Sequence, residues 1–257
     1  IFPATACRVQ NALGAFQAAA FDINAGCAGF VYGLNVASQM LRSGAYQNAL
    51  VIGAEVMSRF IDWSDRSTCV LFGDGAGAVL LQVKDTPGGI ISCYMGADGS
   101  GADLLLIPAG GSSIPASEAT LAQHQHYVYM DGREIYRFAT RIVGQSTREV
   151  LRRAGLSLAD MELLIPHQAN ERITQSTAKA LKIPPERVYS NISRYGNTSS
   201  ASIPIAFCEA MEEGRIKPGD HVVLSGFGAG LTWAATVIHW TAELPEALPL
   251  RRRLVMD

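Results

Sequence analysis

Two stretches of this chain, "LFGDGAGAVLL" and "LSGFGAGLTWA", read alike: an apolar run, a GxGAG turn and a second apolar run, with Gly73 and Gly226 standing 153 positions apart. No other feature limits the possible folds so strongly. Strand-length apolar runs also alternate with amphipathic helical patterns throughout, which argues for an α/β architecture of two similar halves. Two hairpins of similar composition would produce the same echo, so the repeat alone leaves both readings open. The glycine turns invite a phosphate-binding reading and fail it. Both run into apolar strands, whereas a dinucleotide site needs a helix N-terminus behind the glycines.

The alternation can be followed residue by residue. Positions 4–13 read as a helix ended by Gly14, and "AAAFDIN" (18–24) has the length of a strand. From Cys27 the apolar positions Phe30, Val31, Leu34, Ala37, Met40 and Leu41 recur at helical spacing, with Arg42 in the last turn and Gly44 as the stop. Residues 48–55 read as a buried strand, 69–83 as strand, glycine turn and strand, and 88–98 as a further strand. Helices are expected at 132–154, 170–181 and 198–214, and strands at 161–167, 187–192 and on both sides of the turn in 220–240. The stretch 99–126, rich in Gly, Ser, Pro and Ala, divides the chain into a first half (1–98) and a second (127–257).

Composition then excludes whole classes of function. Hydrophobic residues make up 48% and charged residues 17%, so the chain is globular. Lys+Arg 21 against Asp+Glu 23 gives no basic field for nucleic acid, and the terminal "LRRRLVMD" reads as an exposed tail. No apolar run reaches membrane-spanning length. Cys7, Cys27, Cys69, Cys93 and Cys208 form no CxxC pair, so neither a disulfide framework nor a zinc site is expected, and a reducing cytoplasm fits best. His124 and His126 lack a third metal ligand and read as loop residues. The start, "IFPATACRVQ", lacks an initiator Met and reads as the middle of a longer protein.

Three residues stand where chemistry is possible. Cys27, in "NAGCAGF", opens a helix, where unpaired N–H groups and the helix dipole favour a thiolate, and its small neighbours leave room for an acyl group. A buried cysteine acting as a small hydrophobe is the alternative. His167, in "IPHQANERI", follows a strand end, and Asn197, in "YGNTSSASIP", precedes a helix. Taken singly, they read rather as a surface histidine and a helix N-cap.

Together, "FDINAGCAGF", "FGDGAGAVLL", "IPHQANERI", "YGNTSSASIP" and "GFGAGLTWA" occur in the order and spacing of β-ketoacyl-acyl-carrier-protein synthase III, and the chain resembles that family from about Phe2 to Trp240. The resemblance implies a thiolase-like fold, two βαβαβ-type halves with mixed sheets packed around buried helices. It implies a decarboxylative Claisen condensation of an acyl-CoA, acetyl-CoA being the expected starter, with malonyl-acyl-carrier protein. A related synthase using another starter or nucleophile in secondary metabolism is the alternative.

The family's catalytic Cys, His and Asn fall on Cys27, His167 and Asn197, and its oxyanion donors on the backbone N–H groups of Cys27 and Ala229, where the family usually has Gly. Arg66 matches an arginine that packs on the CoA adenine, and Arg172 one proposed to touch the carrier protein. Phe2 matches a phenylalanine that closes the partner's acyl pocket in a homodimer, and Phe72 looks like pocket lining. Surface arginines and a core phenylalanine are the plain alternatives. No cofactor or metal is implied. Family members carry several dozen further N-terminal residues.

Overall fold

The structure, a computed structural model, describes residues 2–242, so the terminal "LRRRLVMD" lies outside the described residues. The chain runs α1 (Thr5–Ala12), α2 (Gly29–Arg42), β1 (Asn48–Glu55), β2 (Gly75–Gln82), β3 (Gly89–Ala97), β4 (Leu105–Leu106), α3 (Glu118–Ala122) and β5 (Tyr129–Met130). It continues through α4 (Gly132–Arg153), β6 (Leu163–Pro166), α5 (Glu171–Leu181), α6 (Ile192–Tyr195), α7 (Ser202–Glu212), β7 (His221–Gly228) and β8 (Thr232–His239).

Four layers result. The antiparallel ribbon β1–β2 covers one side of α2 and α7, and a four-stranded mixed sheet, ordered β3-β8-β7-β6, covers their other side. In that sheet β6 and β7 run parallel while β7–β8 and β3–β8 run antiparallel. Helices α4 and α5 cover its far face. The central helices are buried on most of their surface: Phe30, Val31 and Leu34 of α2 meet Ile203, Ala206 and Phe207 of α7 in one core with Leu224 and Ala234. A second core joins Val150 and Leu151 of α4 to Leu181 and Val223.

The duplication is real, but its units differ from the glycine echo. In each half a buried helix leads into an antiparallel strand pair: α2–β1–β2 and α7–β7–β8. Gly75 and Gly77 lie inside β2, whereas Gly226 and Gly228 lie inside β7, so the two GxGAG motifs occupy non-equivalent strands. Residues 69–71, expected as a strand, form a turn. The first motif thus enters the second strand of its pair, and the second motif leaves the first strand of its own.

Two other expected strands are absent. Residues 18–24 pair with no strand among the described residues. Asp22 instead accepts from the N–H groups of Thr5 and Ala6, capping α1. Of 187–192 only Val188 forms a bridge, to Leu164, before Asn191 turns the chain into α6. The stretch 99–126 holds β4, α3 and a 3-10 turn at Gly99–Leu104. β3, from the first half of the sequence, pairs with β8 of the second.

Candidate active site

Cys27 lies in a 3-10 turn, Gly26–Ala28, that runs straight into α2. This turn rests on the end of β7. A Cβ at Gly228 would stand 2.5 Å from the Cys27 backbone nitrogen, and one at Gly226 would stand 3.0 Å from Ala28 Cα. Gly26 itself has φ +52° and passes 3.0 Å, measured from its notional Cβ, from the backbone nitrogen of Ala229. The second glycine motif therefore exists to let two backbones touch. It brings the backbone nitrogens of Cys27 and Ala229 against the glycines of the facing segment.

The thiol is buried, and burial pushes it up to about 11, with Glu55 adding to the rise and a hydrogen bond to Ser199 opposing it. The expected thiolate is thus not the resting form. Loss of hydration outweighs the start of the helix, and Cys27 is a neutral thiol near pH 7.

His167 follows β6 and extends its ladder, donating its backbone N–H to the Ser225 carbonyl at 2.8 Å. Its Nδ1 lies 2.7 Å from Ser202 Oγ, which already accepts from the Gln168 N–H at 3.2 Å. Nδ1 is the only acceptor the Ser202 hydroxyl proton meets among the described residues, and that donation leaves Nε2 carrying the ring proton. Burial holds the imidazole down at about 3, so it is neutral. Phe227 meets the ring edge-on at 5.2 Å between centroids.

Asn197 is held by the other half. Its N–H donates to the Leu71 carbonyl and its carbonyl accepts from Gly73, both at 2.9 Å, which sets Phe72 and Asn197 side by side. Its Oδ1 accepts from the Ser199 N–H at 2.9 Å, so the carboxamide has only its Nδ2–H groups to offer elsewhere.

Cys27, His167 and Asn197 line one cavity of about 200 Å³, together with Phe72, Met130 and Phe227. Its walls are otherwise largely apolar, with Asn170 and Ile173 of α5 among its lining. A neutral thiol thus shares a largely apolar pocket with two hydrogen-bond donors, an arrangement suited to acyl transfer through a stabilised oxyanion. Arg66 and Arg172 are exposed and are not part of this lining, although Ser67 beside Arg66 is. Phe2 is 91% exposed and takes no part in this chain's own cavity lining. Among the described residues no group of His, Cys, Asp or Glu is arranged to hold a metal; His124 pairs with Asp62 and His126 with Thr120.

Sequence reasoning missed Ser199, Ser202 and Glu55. The serine density of "NTSSAS" was the available signal, since hydroxyls at a helix mouth seek partners.

Comparison with known proteins places these features in a family. The family model described as 3-Oxoacyl-[acyl-carrier-protein (ACP)] synthase III matches residues 21–99, and its C-terminal counterpart matches residues 151–240. The β-ketoacyl-[acyl-carrier-protein] synthase III of Roseiflexus sp. (strain RS-1) is 56% identical over 241 residues, covering 94% of this chain and 73% of the relative. The crystal structure of 3-oxoacyl-[acyl-carrier-protein] synthase III from Aquifex aeolicus VF5 superposes with a TM-score of 0.84 at 46% identity, covering 93% of this chain and 73% of that one. The corresponding enzyme of Thermus thermophilus gives 0.86 at 44% identity, covering 95% and 74%.

Proposed function

The chain belongs to the 3-oxoacyl-[acyl-carrier-protein] synthase III family, with its thiolase fold, and from that premise we propose that Cys27 is its nucleophile and His167 and Asn197 its paired donors. The family's activity is an acyl transfer that initiates fatty-acid synthesis, joining an acyl-CoA to malonyl-acyl-carrier protein. At 56% identity to a curated relative of that activity, a role in secondary metabolism is not favoured. One observation carries the residue assignments: a thiol, an imidazole and a carboxamide from three separate segments line one apolar cavity.

The reaction follows from these groups. Cys27 Sγ bonds to the thioester carbon while the N–H groups of Cys27 and Ala229 hold the oxyanion. The carbon–sulfur bond to CoA breaks, and CoA departs as its thiolate. Malonyl-carrier protein then loses CO₂, and its thioester oxygen takes the enolate charge. His167 Nε2–H and Asn197 Nδ2–H donate to that oxygen as the charge develops. The carbanion attacks the acyl carbon, and the Cys27 thiolate departs and takes up a proton. No proton is abstracted from the substrate, which agrees with a neutral imidazole and an amide in place of a base.

Acetyl-CoA is the proposed starter. The exposed Arg66 is free to pack on the adenine, and Arg172, in the first turn of α5 near the Asn170 rim of the cavity, is free to meet an acidic carrier protein. Phe2, 91% exposed, is available to the pocket of a second copy in a homodimer. Phe72 lines the acyl pocket in this reading. The assigned reaction takes place without a cofactor, and no helix among the described residues is long and apolar enough to cross a membrane; a cytoplasmic location is proposed. The test is peptide mass spectrometry after incubation with acetyl-CoA. The Cys27 peptide gains about 42 Da if acyl transfer occurs at this sulfur. A gain on another cysteine, or none, removes the assignment.

A further inference from the structure

The acylation step leaves one question: a thiol held at about 11 must lose its proton as it attacks, and neither His167, whose Nδ1 is engaged by Ser202, nor Asn197 is suited to take it. Ser199 is the side chain against the sulfur. Its Oγ lies 3.4 Å from Cys27 Sγ and 3.2 Å from Glu55 Oε1, at the end of β1. Ser200 Oγ donates to the same carboxylate oxygen at 2.6 Å.

Ser199 has one hydroxyl proton for these two neighbours. Its Oγ is placed to donate to either one; a carboxylate is the stronger acceptor, and with the proton held by Glu55 an Oγ lone pair is left beside the thiol. The backbone fixes Ser199 in this position: it has φ +51°, a left-handed conformation that serine seldom adopts, and its N–H is simultaneously bound to Asn197 Oδ1.

We propose that Glu55 accepts the Cys27 proton through the Ser199 hydroxyl during acyl transfer, making Ser199 a catalytic residue and Glu55 its terminal proton acceptor. As the sulfur–carbon bond forms, the S–H bond breaks and that proton joins Ser199 Oγ, while the Ser199 proton moves to Glu55 Oε1. The bond to CoA then breaks, the CoA thiolate takes a proton from water, and Glu55 returns its proton to water. Charge and protons balance without any further reactant. The groups facing the thiol that titrate are Glu55, from the end of β1, and His167, from the end of β6.

This rests on Cys27 being the nucleophile, and the experiment separates the two claims. Single-turnover acylation by acetyl-CoA and alkylation of Cys27 by iodoacetamide are measured side by side for the unaltered protein, Glu55→Gln, Glu55→Asp and Ser199→Gly. Gln keeps an oxygen for both serines but takes no proton. Gly adopts φ +51° at least as readily as Ser, so folding is preserved. Glu55→Gln and Ser199→Gly should acylate about 10- to 100-fold more slowly, with Asp restoring part of the rate.

Alkylation should move the opposite way in Glu55→Gln. Removing the nearby negative charge eases formation of the thiolate that iodoacetamide traps. A purely structural role would lower both rates together. Acylation in Glu55→Gln and Ser199→Gly within about 2-fold of the unaltered protein would overturn the proposal and leave the nucleophile assignment standing. Parallel loss of both rates would also overturn it. No acetyl group on Cys27 of the unaltered protein would overturn both claims.

Discussion

The same burial pushes two groups in one cavity in opposite directions, Cys27 up to about 11 and His167 down to about 3. Both are uncharged near pH 7, so the resting site holds no thiolate–imidazolium pair. In the proposed reaction, charge that develops on the substrate oxygens meets neutral donors, and this is the differential stabilisation that lowers a barrier. A consequence for stability follows. His167 titrates at 6.5 when unfolded and about 3 when folded. Between those values the unfolded chain binds a proton that the folded chain does not, so stability rises with pH across the window and is lost on acidification. From pH 7 to pH 5 this one residue costs about 2 kcal/mol. Urea unfolding of the unaltered protein and His167→Asn at both pH values should show the variant losing about 2 kcal/mol less; equal losses would contradict it.

At the scale of elements, β7 carries the decisive feature, two glycines at alternate positions facing the turn that holds the thiol. A methyl group at Gly228 would meet backbone atoms of Cys27, which have no rotamer to move into. Gly228→Ala should cost about 1–3 kcal/mol and slow acylation by about 100-fold through misplacement of Sγ. Gly144, inside α4, is the contrast: a methyl group added there would find its nearest neighbour 3.9 Å away. Gly144→Ala should be neutral or stabilising by up to about 1 kcal/mol. Denaturant melts and acylation rates of the two variants check both; a fully active Gly228→Ala would refute the close-approach argument.

The helices were the legible elements. α2, α4 and α5 declare themselves through 3.6-residue spacing and local caps: Asn170 accepts from the Arg172 N–H, and Asp131 from those of Arg133 and Glu134. The strands expected at 18–24, 69–71 and 187–192 were illegible for a physical reason. Apolar runs of that length are equally at home in turns and extended segments, and only a neighbouring strand converts them into sheet.

At the scale of the whole molecule, the halves are interleaved and do not stand as separable units. β3 is hydrogen-bonded to β8 along most of its length, and α2 is shared between the β1–β2 ribbon and the four-stranded sheet. A chain beginning at residue 99 lacks the Phe30 and Leu34 side chains that fill the core against Ile203 and Leu224. Such a truncated protein should show no cooperative thermal transition by circular dichroism, whereas the 257-residue chain should show one. Independent cooperative folding of the truncated form would mean that the shared core is dispensable.

The sequence by itself determined the α/β alternation, the longer helices and the family, and singled out Cys27, His167 and Asn197 as the candidates, because periodicity, capping and motif order are written in local residue types. Tertiary structure alone decided that the thiol is neutral, that Ser202 orients the imidazole, and that Ser199 and Glu55 stand behind the sulfur. It also decided which strands pair. Burial and hydrogen-bond partnership between residues as far apart as 27 and 199 arise only when the chain closes on itself, so no local pattern can encode them in readable form.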